Sequence, residues 1–113
     1  MPITLLFRPA PTTLDRTDAS MCMTDMMVLA FDTVLRSHTD VELTPDGLRV
    51  IYNALSFRIY PIQAMALRLL KASTVVAVLR GMVFFMNQEG FTYKSVGIYH
   101  DQAGPIGVAK FER

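Results

Sequence analysis

The sequence predicts an α+β domain: two or three N-terminal helices packed on a three- to four-stranded antiparallel meander. Three observations carry this expectation. Apolar residues recur at helical spacing from Met21 to Leu70. From Thr74 onward the chain becomes β-branched and aromatic. Two turn-like segments, NQEG (87–90) and DQAGP (101–105), then divide that second half into three stretches. With 113 residues, 51% of them hydrophobic and 19% charged, the chain can bury a core and is not disordered. A single domain over 1–113 is expected: 1–20 as an extended arm and linker, 21–72 as the helical part, and 74–113 as the meander.

Residues 3–8, ITLLFR, suit a short strand or extended arm, and Pro9 and Pro11 interrupt the polar stretch that follows. The first helix runs over about 21–37, with Thr17, Asp18 or Ser20 as its N-cap and Asp32 and Arg36 as an i,i+4 pair. Thr44-Pro45-Asp46 reads as the start of a second helix, threonine capping and proline in the first turn. Leu48, Ile51, Tyr52, Leu55 and Ile59 form its apolar stripe. Pro61 breaks it, and Ile62, Met65, Ala66, Leu69 and Leu70 continue a third helical stretch. VVAVLRGMVFFM (75–86) reads as a strand, followed by strands at 91–100 and 106–111. As the first strand of a meander, 75–86 would be an apolar edge. It would need cover from residues 3–8 or from a second chain, which makes a homodimer the expectation.

The first helix is the most unusual element. Eleven of the 15 residues from Met21 to Leu35 are apolar. They wrap roughly 220° of the helix, where a stripe of about 100° would suffice for a core. Met23, Met26, Met27, Ala30, Phe31 and Val34 account for the core side. Met21, Val28 and Leu35 lie on one flank at heptad spacing, with Cys22 and Leu29 across the charged line. Flexible methionines suit surfaces that adapt to partners. Met21, Cys22, Val28, Leu29, Leu35, Val76 and Val78 are therefore the expected partner or dimer interface.

No catalytic motif, metal-ligand spacing or phosphate loop is legible, so no enzyme and no cofactor are expected. One cysteine excludes an intrachain disulfide. Cys22 and His38 are too far apart on one helix to form a dyad. The apolar run at Ile3–Phe7 is too short for a signal-peptide core and no run is long enough to span a membrane, so a cytoplasmic protein is expected. Residues 1–47 carry net −4 and residues 48–113 net +5; the expectation is that the two halves pack together and neutralise each other's fields, the alternative being a polarised surface that steers association. A helix-turn-helix over Arg49, Arg58, Arg68 and Lys71 is set aside: the arginines share no helical face, and the net charge is only +1. No direct nucleic-acid contact is expected. The competing function is a small-ligand module or minor enzyme, its pocket between helices and sheet drawing polar groups from Tyr52, Tyr60, Tyr93, Tyr99 and His100.

The opening MPITLLFRPAPTTLDRTDAS, the segment MCMTDMMVLAF and the ending GPIGVAKFER, on a chain of this length, resemble the QslA-type quorum-sensing antiactivators of pseudomonads. The resemblance is one of length and character across the chain and transfers no functional residues. It implies a small dimeric regulator that binds the ligand-binding domain of a LuxR-type transcription factor, blocking its dimerisation and hence its DNA binding.

Overall fold

The computed structural model describes residues 3–9, 13–40, 42–62, 69–91 and 93–112, with the side chains of Tyr93 and Lys94 outside that description. Among these residues are two helices and one five-stranded antiparallel sheet, in the order β1 (Ile3–Pro9), α1 (Arg16–Ser37), β2 (Leu48–Tyr52), β3 (Leu55–Pro61), α2 (Ala72–Glu89), β4 (Tyr93–His100) and β5 (Gly104–Glu112). The strands lie side by side as β1-β4-β5-β3-β2. The fold is α+β, but the expected N-terminal helices over a three- to four-stranded meander are corrected in two places.

The first correction is at 48–61, expected to be a helix and found to be the β2–β3 hairpin. Thr44-Pro45-Asp46-Gly47 is a β-turn: the Gly47 amide donates to the Thr44 carbonyl at 2.8 Å. Proline second and glycine fourth suit such a turn. β2 and β3 are joined by Asn53-Ala54 alone, both at positive φ (51° and 65°), the backbone sign that type I′ hairpin turns require. Alternation then decides which side is buried. Leu55, Phe57, Ile59 and Pro61 point inward, while Ser56, Arg58 and Tyr60 point outward.

The second correction is at 75–86, expected to be a strand and found inside α2. Val75, Val78, Leu79, Met82 and Met86 are the buried positions, spaced three, four and seven apart as a helix demands. Core packing on that spacing overrides the β preference of the valines. The Asp40 carboxylate accepts from the backbone amide and hydroxyl of Ser73, satisfying an orphan donor in the first turn of α2. With 75–86 helical, the apolar edge strand that implied dimer cover does not exist. The third expected helical stretch falls mostly on 63–68, outside the described residues; Leu69 and Leu70 are not helical.

α1 begins a turn earlier than expected, with the Asp15 carboxylate accepting from the Asp18 amide at 2.9 Å, and ends at His38 in the left-handed region. Buried Asp18 accepts from Asn53 Nδ2 at 3.3 Å, tying the first turn of α1 to the hairpin tip. α1 packs beside α2 and over β2 and β3. α2 reaches β1, where Phe85 stacks on Phe7 (centroids 3.8 Å apart) and Leu5 occupies the space beside Gly81. Between helices and sheet lie Met26, Met82, Met86, Ile59, Ile98 and the stacked pair Phe57–Phe111. The helices cover one face of the sheet, so Leu6, Arg8, Arg49, Ile51, Arg58, Tyr60, Lys110 and Glu112 fall on the other.

Candidate functional site: the groove between the helices

On their outer side the two helices do not close against each other. α1 contributes Met23, Thr24, Met27, Val28 and Phe31, and α2 contributes Arg80, Val83, Phe84, Asn87 and Gln88, to a groove of about 790 Å³. Its walls carry three well-exposed apolar side chains: Val28 is 64%, Phe31 51% and Phe84 68% exposed. Met23 is buried at the base and Met27 half-buried. Each wall spans nine residues, about 12 Å from first to last at 1.5 Å per residue. Polar groups are confined to Thr24 at one side and Arg80, Asn87 and Gln88 at the other.

The expected interface residues separate on this surface. Met21, Val28 and Leu35 are exposed on one line of α1, and Val28 enters the groove. Leu29 and Val76 are half-buried and pack on the core. Cys22 and Val78 are buried in the core. The Cys22 thiol donates to the Leu55 carbonyl at 3.4 Å. Its burial pushes the thiol's pKa up, a backbone hydrogen bond at Tyr52 opposes this, and the charges of Asp25 and Asp18 add to the rise.

Sequence reasoning missed Phe31 as a surface residue, having assigned it to the core, and missed Val83 and Phe84 altogether. Their signal lay in the helical phase of 75–86: with Val75, Val78, Leu79 and Met82 inward, Arg80, Phe84 and Asn87 fall on the opposite side.

The polar groups considered for a pocket between helices and sheet are not brought together. Tyr60 and Tyr99 lie on the open face of the sheet, whereas Tyr52 is near the hairpin tip on the helix side. His100 Nδ1 accepts from the Gln102 and Ala103 amides at 3.2 and 3.3 Å, ordering the β4–β5 turn. The Tyr93 side chain is outside the description. Among the described residues no group of three or more His, Cys, Asp or Glu could hold a metal ion. None of the described helices is long and apolar enough to cross a membrane. The chain matches no protein-family model, no curated protein and no solved structure.

Proposed function

We propose that the protein is a non-catalytic regulatory binding protein whose α1–α2 groove seats an amphipathic helix of a partner protein. The single observation that carries this is the convergence of exposed Val28, Phe31 and Phe84 over Met23 and Met27. A recognition helix anchors through positions i, i+3, i+4 and i+7, which span about 10 Å, close to the length of each wall. Methionines at the base accommodate side chains of different shape. The partner we propose, following what the resemblance to QslA-type antiactivators implies, is the ligand-binding domain of a LuxR-type regulator in the cytoplasm. Covering that domain's dimerisation surface would keep the regulator off DNA. A second reading, a small apolar ligand, is favoured by the groove volume, which lies within the range of small-molecule sites.

The test uses the full chain and the isolated ligand-binding domain of a LuxR-type regulator, with titration calorimetry and sedimentation equilibrium. The expected result is a complex that Val28→Glu and Phe84→Glu each weaken by at least about 2 kcal/mol, the size of an interface hot spot. Both side chains are largely exposed, so the variants keep the wild-type melting temperature within a few degrees. Full binding by folded Phe84→Glu refutes the groove. Self-association that Phe84→Glu abolishes, without binding to the domain, replaces the partner helix by a second copy of the chain.

A further inference from the structure

The open face of the sheet carries a row of cations placed against one another by strand register. Arg49 on β2 stands across from Arg58 on β3, and Arg58 across from Lys110 on β5. Lys110 in turn stands across from Ser95 on β4, and Ser95 across from Arg8 on β1. One rung thus crosses all five strands, about 19 Å at the usual strand spacing. Like charges directly opposite each other destabilise a sheet, and Arg49, Arg58 and Lys110 make two such pairs in succession. The described ion pair in this row is Lys110–Glu112 at 3.1 Å. Arg49 Nε donates to Ser56 Oγ at 2.9 Å and Arg58 Nε to the Asp46 carbonyl at 3.0 Å, contacts that orient the guanidinium groups without neutralising them.

Aromatic rings flank this row on the same face. The next rung is Leu6, Gly97, Val108 and Tyr60. Tyr99 lies over Gly97, its Cε1 2.9 Å from where a Cβ would stand, so only glycine admits the ring there. The Arg58 guanidinium sits 4.2 Å from the centroid of the Tyr60 ring. Two shallow clefts of about 120 Å³ each follow the row: one beside Arg8, Ser95 and Tyr99, the other beside Arg49, Arg58 and Lys110.

We propose that this face binds a single-stranded nucleic acid, with phosphates along Arg8, Lys110, Arg58 and Arg49 and bases stacked on Tyr60 and Tyr99. A cationic track beside aromatic rings is the arrangement that holds single strands without sequence preference. The cations stand one or two strand spacings apart, about 5–10 Å, which suits repeated phosphates rather than one. The clefts are smaller than a nucleotide-sized pocket, so the ligand lies along the surface. An acidic peptide would engage the cations and leave the tyrosines unused, and a duplex would keep its bases from them.

The test is fluorescence anisotropy with the full chain and a labelled uridine oligonucleotide of about twelve residues, a length within known single-strand site sizes. Neutralising three or four phosphates gives a log–log salt slope of about −2 to −3. Affinity therefore falls roughly 15- to 60-fold between about 50 and 200 mM salt. The double variant Arg49→Gln/Arg58→Gln reduces the slope by about 1.4, and Tyr99→Leu weakens binding about tenfold. The double variant removes like-charge repulsion, so its melting temperature stays level or rises, which separates lost contacts from lost folding. Val28→Glu, in the helix groove, leaves the affinity unchanged, so this site stands or falls independently of the groove. No binding at about 50 mM salt, or equal binding by the double variant, overturns the proposal. So does polyglutamate bound as tightly as the oligonucleotide, which would assign the row to an acidic protein surface.

Discussion

Replacing Gly47 by alanine tests the placement of the whole β2–β3 hairpin. Gly47 has φ +72°, and a Cβ there would stand 2.0 Å from the Ile59 carbonyl oxygen, 2.7 Å from Tyr60 Cα and 2.8 Å from Ile59 C. Two effects add. An L-residue held at positive φ costs roughly 1–2 kcal/mol. The overlap with backbone atoms cannot be relieved by a rotamer change, so the chain entering β2 must lift from β3, losing at least one ladder hydrogen bond worth about 1 kcal/mol. The sum is about 2–3 kcal/mol, against a total stability of the order of 10 kcal/mol for a domain of this size. At about 4 °C per kcal/mol the midpoint falls by roughly 8–12 °C. Gly104 supplies the control: its φ is +78°, and nothing lies within 4 Å of its added Cβ. Alanine there bears the conformational term alone and lowers the midpoint by about 4–8 °C. Thermal melts followed by circular dichroism, with urea titrations for the free energies, measure both variants. Gly47→Ala melting with the control would refute the close approach of the Thr44–Gly47 turn to β3.

Two smaller perturbations report on α1 and α2. Cys22 is buried with its pKa raised from the ordinary 9.0, so the native thiol resists maleimide labelling until the chain unfolds. Its neutral form contributes stability that is complete below about pH 9 and fades as pH rises through the raised native value, because the unfolded chain releases the proton first. Urea midpoints from about pH 7 to 10.5 should therefore fall more steeply for the wild type than for Cys22→Ala. Asp40→Ala removes the acceptor for Ser73 at the start of α2 and should cost about 1 kcal/mol by denaturant titration. A loss below about 0.3 kcal/mol would show that the α1–β2 loop does not hold α2.

The α+β class was legible because two misreadings offset each other: a hairpin read as a helix, and a helix read as a strand. Leu48, Tyr52, Leu55 and Ile59 satisfy a helical stripe and a strand alternation together. Thr44-Pro45-Asp46 serves as a helix start or, with Gly47 added, as a turn. The tie is broken by Asn53-Ala54, which adopts positive φ at both positions, and by the burial of alternate residues that only the completed sheet supplies. Val75 to Met86 misled through valine propensity, although the spacing of its buried residues was helical throughout. At the groove, Met21, Val28 and Leu35 were legible because they lie on one helix with a clear phase. Phe84 depended on the identity of α2. The cationic row depended on register across five strands, with β4 and β5 far in sequence from β1 and from the β2–β3 hairpin, and Arg49 and Arg58, scattered on a helix, fall opposite each other only on a hairpin.

The pairing of β1 with β4 has a consequence for how the chain reaches its native state. Ile3 stands across from His100, and β5, which joins β4 to β3, ends at Glu112. β1 therefore waits for β4, which is made only after both helices, and such non-local pairing slows folding. During synthesis α1, the β2–β3 hairpin and α2 emerge with the sheet missing its middle, leaving Leu55, Phe57 and Ile59 without β5 beside them. The chain is thus most exposed to misassociation while β4 and β5 are still missing, and truncation within β5 should harm solubility more than loss of β1.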